Sequence, residues 1–205
     1  MTGLIGRKVG MTRLFGEGGM SIPATLVQVG PCVVTQVKTE DSDGYFAIQL
    51  GYGEQKEKRT NRPMKGHFKK AGVSPRVHLE EFPASGEKLP SLGQEITVSI
   101  FGEGDMVSVR GISKGKGFTG VVKRYGFRGG PKTHGQSNRL RAPGSIGQSS
   151  DPSRVWPGMK MAGRHGNKTV IVKNVEVLKV DHEKNTLFLK GPVPGSKNGI
   201  VTVTK

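Results

Sequence analysis

Apolar and polar residues alternate at period two in Phe46, Ile48, Leu50 and Tyr52, in Ile96, Val98 and Ile100, and in Val107 and Val109. The spacing returns in Val170 and Val172, Val175 and Val177, Leu187 and Leu189, and Val201 and Val203. Val33, Thr35, Val37 and the run 22–29 add two more. Successive side chains of a strand point to opposite faces, so these β-branched runs, separated by Gly, Pro, Asn and Asp, predict short strands. No segment holds a 3.6-residue apolar period over eleven positions, and the fold class is mainly β. A short helix is expected at 64–71, and 181–185 reads as a hairpin turn. About eight short strands argue for a closed or nearly closed barrel, because closure removes sticky edges. They lie on both sides of a stretch without the pattern, so one barrel is expected from 1–112 and 169–205, with 113–168 as an insertion.

Charge sharpens this division. The chain has 205 residues and a formal net charge of +16, from 32 Lys and Arg against 16 Asp and Glu. Residues 113–168 carry twelve of the cations and one acid, Asp151, while the rest holds 20 basic and 15 acidic side chains. The same stretch has twelve Gly and only seven Leu, Ile, Val or Phe, a composition that alone favours disorder. A solvated linker is one reading. A polyanion-binding excursion is the stronger one, because the charge has a single sign and Phe118, Tyr125, Phe127 and Trp156 interleave with it. A second basic stretch, 54–90, contains Lys56, Lys58, Arg59, Arg62, Lys65, Lys69, Lys70 and Arg76, and reads equally as a weaker insertion or a solvated loop.

Several functions are weighed and set aside. No run approaches the roughly 18 to 20 apolar residues of a spanning helix, and the first ten residues lack a signal-peptide pattern, so a cytoplasmic chain with no membrane partner is expected. Cys32 is the only cysteine, which excludes an internal disulfide and suits a small buried hydrophobe. Gly115, Gly117 and Gly120 satisfy a dinucleotide-site pattern, but no acid follows to hold a ribose and no helix is expected there. Gly111, Ser113 and Gly115 match a nucleophile elbow without the hydrolase core it needs. The five histidines have no metal-ligand spacing. Neither a metal, a cofactor, a small-molecule substrate nor a catalytic residue is assigned.

Lys and Arg neutralise phosphates and release counterions, and Gly lets backbone N–H groups approach them. With no recognition helix, basic heptads or zinc finger, RNA suits this chemistry better than DNA. The candidate phosphate contacts are Lys114, Lys116, Lys123, Arg124, Arg128, Lys132, Arg139, Arg141, Arg154, Lys160, Arg164 and Lys168. A β-barrel enzyme with a basic substrate clamp and a DNA-compacting protein are the alternatives. The first would need a carboxylate or nucleophile cluster, which this acid-poor stretch does not supply.

Four separated words then become familiar: Gly6-Arg-Lys-Val-Gly-Met-Thr12, Ser113-Lys-Gly-Lys-Gly-Phe118, Pro143-Gly-Ser-Ile-Gly-Gln148 and Met159-Lys-Met-Ala-Gly163. In this order, over essentially the whole chain, they resemble the bacterial large-subunit ribosomal protein three, the L-three family. The resemblance implies a six-stranded translation-protein-type barrel and a long extension through large-subunit RNA toward the peptidyl transferase centre. It also implies a structural, non-enzymatic protein that binds near the 3′ end of that RNA, nucleates assembly and touches neighbouring ribosomal proteins. By motif, the extension tip falls at Ser145, Ile146, Gly147, Gln148, Ser149, Ser150 and Asp151, and Gln148 matches a glutamine that is methylated in some bacteria. The segment Val155-Trp-Pro-Gly-Met159 is less basic than the family pattern. There Trp156 is expected to stack on a base or pack against the returning strand.

Overall fold

A computed structural model describes residues 3–84 and 89–205. In chain order the strands and helices are β1 (Gly3–Phe15), β2 (Ser21–Val29), β3 (Cys32–Lys38), α1 (Glu40–Asp43), β4 (Ala47–Glu54), α2 (Arg62–Lys70), β5 (Arg76–Pro83) and β6 (Glu95–Ile96). They continue with β7 (Met106–Ile112), β8 (Phe118–Thr119), α3 (Val121–Tyr125), β9 (Gly163–Arg164), β10 (Thr169–Asp181), β11 (Thr186–Lys190) and β12 (Ile200–Thr204). The chain divides into two compact units, Met1–Ser113 with Thr169–Lys205, and Lys114–Lys168.

Six strands of the first unit close an antiparallel barrel in the order β1, β12, β7, β10, β11, β2. The alternating pattern works as expected here: Val107, Val109, Leu187, Leu189, Val201 and Val203 all turn inward and are buried. Asn185 closes the hairpin before β11 with a positive φ of 48°. Val170 to Val177, which the pattern splits in two, is one strand. Its register shifts between Val172 and Val175, where Asn174 takes a φ of 56° and forms a bulge.

The other strands form a separate sheet, in the order β5, β4, β3, β6. The runs at 33–37 and 46–52 therefore belong to this sheet and not to the barrel wall. Both layers feed one core, in which Val34, Ile48, Leu50 and Phe82 join Leu4, Ile5, Val29 and Val203. Cys32 is buried in it and donates its S–H to the Ile5 carbonyl at 3.4 Å. Glu80 on β5 ties the sheet to the barrel, accepting from Thr202 and pairing with Arg110. The strand expected through Ile96, Val98 and Ile100 stops at Ile96. Val98–Ile100 is a 3-10 turn closed by Phe101 N–H to the Val98 carbonyl at 3.0 Å, which buries Val98 and Phe101, three residues apart, on one side.

The second basic stretch is neither a bare loop nor a wholly separate insertion. It carries α2 and strand β5, and its residues 85–88 lie outside the described residues. The helix, expected at 64–71, runs from Arg62 to Lys70 because Asn61 caps it, its side chain accepting from Met64 N–H at 3.2 Å, with Pro63 in the first turn. Phe68 anchors its inner face in the core.

Candidate nucleic-acid interface

β7 and β10 are neighbours in the barrel wall, and Ile112 pairs with Thr169. The inserted unit thus leaves and rejoins the barrel through two paired strands.

Within Lys114–Lys168 the outgoing and returning limbs are zipped at the base. Phe118 pairs with Arg164 and Thr119 with Gly163. Two further backbone bonds, Lys116 N–H to the His165 carbonyl and His165 N–H to the Gly117 carbonyl, each 2.9 Å, extend this short ladder. The chain then makes α3, a five-residue helix ended by Gly126 in the left-handed region. Sequence reading expects no helix after the Gly115, Gly117, Gly120 pattern. One is present, but it is a single turn with no acid beside it, and Lys123 and Arg124 occupy its last turn.

Farther along, Gly130 N–H donates to the Leu140 carbonyl at 2.9 Å and draws the limbs together again. A recess of about 500 Å³, lined by Phe127, Arg128, Gln136, Arg139 and Pro143 among others, opens beside this contact. Sequence reading does not anticipate it, because its walls come from residues up to 17 positions apart.

The twelve candidate cations divide into two kinds. Lys114, Lys116, Lys123, Arg128, Lys132, Arg139, Arg141, Arg154, Lys160, Arg164 and Lys168 are exposed. Arg124 alone is half-buried: its guanidinium donates to the Met161 carbonyl at 2.7 Å and lies 5.0 Å from the Tyr125 ring centre. It braces the two limbs, a role its place in the sequence does not reveal. Lys160 approaches the same ring at 5.8 Å, and Arg154 sits 4.9 Å from the Trp156 ring centre. Trp156 therefore meets a neighbouring guanidinium and remains 51% exposed.

Phe118 is 80% exposed, and Leu140, Ile146, Val155 and Trp156 are also open. Apolar and aromatic surface beside exposed cations is what stacking on bases and pairing with phosphates require. Residues 145–151 are all exposed, and the Ser145 hydroxyl donates to the Gly147 carbonyl at 3.0 Å, shaping a tight turn.

Asp151 is the one carboxylate within residues 113–168, the stretch that holds these twelve cations. The barrel unit balances part of its charge internally, with Lys38 to Glu81 at 2.8 Å, Lys190 to Glu176 at 2.6 Å and Lys205 to Asp105 at 2.7 Å. His165 registers the excess. Its pKa is lowered from the ordinary imidazole value, first by desolvation and then by the charges of Lys116, Arg124, Lys123 and Lys168. Among the described residues no group of three or more His, Cys, Asp or Glu could hold a metal, and no helix is long and apolar enough to cross a membrane.

Comparison with known proteins points the same way. Residues 87–187 match the family model described as Ribosomal protein L3. The chain is similar to the large ribosomal subunit protein uL3 of Herpetosiphon aurantiacus, 51% identical over 205 residues, with 100% of this chain and 96% of that protein covered. It is similar also to the protein of the same name from Chlorobium limicola, 52% identical, with 99% and 98% covered.

Proposed function

The chain belongs to the ribosomal protein L3 family and is a structural constituent of the large ribosomal subunit, and from this premise we propose that its basic unit is an RNA-penetrating extension. The barrel with 1–112 and 169–205 acts as the anchor, and residues 113–168 thread between segments of large-subunit RNA. The eleven exposed cations neutralise phosphates, Phe118 and Trp156 offer faces to bases, and Arg124 holds the limbs close enough to enter together. The observation that carries this reading is the charge imbalance: one carboxylate against twelve cations, in a unit where Phe118, Tyr125 and Trp156 stay exposed.

The family resemblance adds a location. The protein binds near the 3′ end of the RNA, helps nucleate assembly, and brings residues 145–151 toward the peptidyl transferase centre, with Gln148 as the candidate for methylation. Its part in catalysis is indirect, through RNA packing, and neighbouring large-subunit proteins cover other faces.

A photocrosslinker placed at Ser149 in assembled subunits tests this. Crosslinks to RNA around the peptidyl transferase centre are expected. Crosslinks confined to protein, or to RNA at the subunit exterior, would contradict it.

A further inference from the structure

The surplus positive charge of the barrel unit is concentrated in one place. Residues 55–76 hold eight Lys or Arg and a single acid, Glu57, an excess of seven charges. The two segments flanking 113–168 carry 20 basic and 15 acidic side chains in all, so without 55–76 they would be slightly acidic. The basic extension is thus not the only patch of one sign on the chain.

Helix α2 organises the patch. Phe68 is buried and Met64 half-buried on its inner side. At 100° per residue, Arg62, Lys65 and Lys69 fall on one flank, about 60° to 120° round the helix from Phe68, as one exposed stripe spanning roughly 10 Å at 1.5 Å per residue. Lys56, Lys58 and Arg59 continue the charge from the preceding turn and are exposed as well.

A glycine borders the stripe on its outer side. Gly66 lies inside α2 with an ordinary negative φ, and a Cβ built on it would meet nothing within 4 Å. Neither a turn nor a packing contact requires a glycine there, although glycine weakens a helix relative to alanine. A bare backbone beside three cations does make sense if another surface must come close to the helix.

Resting on the RNA-binding reading above, we propose that the outer face of α2 is a second RNA site, separate from the extension. Arg62, Lys65 and Lys69 contact phosphates of a double-stranded segment. Gly66 lets its sugar-phosphate backbone lie against the helix, as the wide, shallow minor groove of A-form RNA permits. RNA is favoured over an acidic protein because the stripe is narrow, and no exposed aromatic or large aliphatic side chain lies on it to form the apolar centre of a protein interface.

The test uses the full chain with large-subunit RNA, by hydroxyl-radical footprinting and salt-dependent binding. R62Q/K65Q/K69Q is expected to lose one block of protections, keep those due to the extension, and flatten the log-log salt slope by about 2 to 3. G66A is expected to raise the melting temperature of the free protein, because helix propensity improves, yet to weaken RNA binding several-fold and thin the same block. An unchanged footprint and slope in the triple variant would overturn the proposal, and would do so decisively if the variant instead lost a neighbouring protein from reconstituted subunits. Unchanged binding by G66A would overturn the close approach. Failure of the extension itself to bind RNA would show as wild-type binding in extension variants, an outcome independent of both.

Discussion

Gly166 lies so close to Lys114 that a Cβ added to it would sit 2.1 Å from the Lys114 carbonyl oxygen, and its φ of +73° is one that other residues rarely adopt. This contact closes the neck of the basic extension, directly beside the ladder from Lys116 to His165.

Gly166→Ala is accordingly expected to open the neck, with a local cost of about 2 kcal/mol or more from the combined clash and left-handed strain. Hydrogen exchange at the amides of Lys116 and His165 checks this. Faster exchange there, with barrel amides unchanged, is the expected result.

Lowering the pH should loosen the same neck. The folded His165 has a pKa below its unfolded value, so the unfolded neck binds a proton first. Stability is complete above the ordinary imidazole pKa near 6.5, and falls as the pH drops through that value toward the folded one. Protection of the Lys116 amide, taken relative to its intrinsic exchange rate at each pH, should therefore fall as the pH drops below about 6.5, and His165→Gln should remove most of this dependence.

Glu80 joins the four-stranded sheet to the barrel through Arg110 and Thr202. Glu80→Ala is expected to lower global stability by about 1 to 2 kcal/mol, since a partly exposed charge pair is screened while the hydrogen bond to Thr202 is lost outright. Urea denaturation measures it. Glu80→Gln, which keeps an acceptor for Thr202, should cost less.

The Cys32 thiol, raised by burial to about 11, should resist alkylation in the native protein. At pH 8 only about one thiol in a thousand would be ionised even if it were reachable. Labelling should track unfolding, and rapid labelling of the folded chain would contradict the packing of β3 against β1.

These relationships also explain which features the amino-acid order discloses. Strands with one buried face, such as β7 and β11, are legible because a half-buried strand forces alternation. β1 is not, because its interior breaks the pattern with Gly6, where a Cβ would come 2.6 Å from the Gln28 carbonyl oxygen, and because Leu4 and Ile5 are both buried though adjacent. β5 hides among the basic residues because Glu80 faces partners on the barrel where the pattern would call for an apolar side chain. In the extension, charge and glycine content mark the candidate surface. The braces do not show, because Arg124 and Met161 are 37 residues apart and only the folded chain brings them together.

The central claim is that the extension engages RNA phosphates, and the salt dependence of binding to large-subunit RNA tests it most directly. Full-length protein should show a steep log-log slope, and changing Lys132, Arg139, Arg141 and Arg154 to Gln should flatten it by about 3 to 3.5. The same slope in variant and wild type would mean that these cations touch no RNA, and would contradict the account.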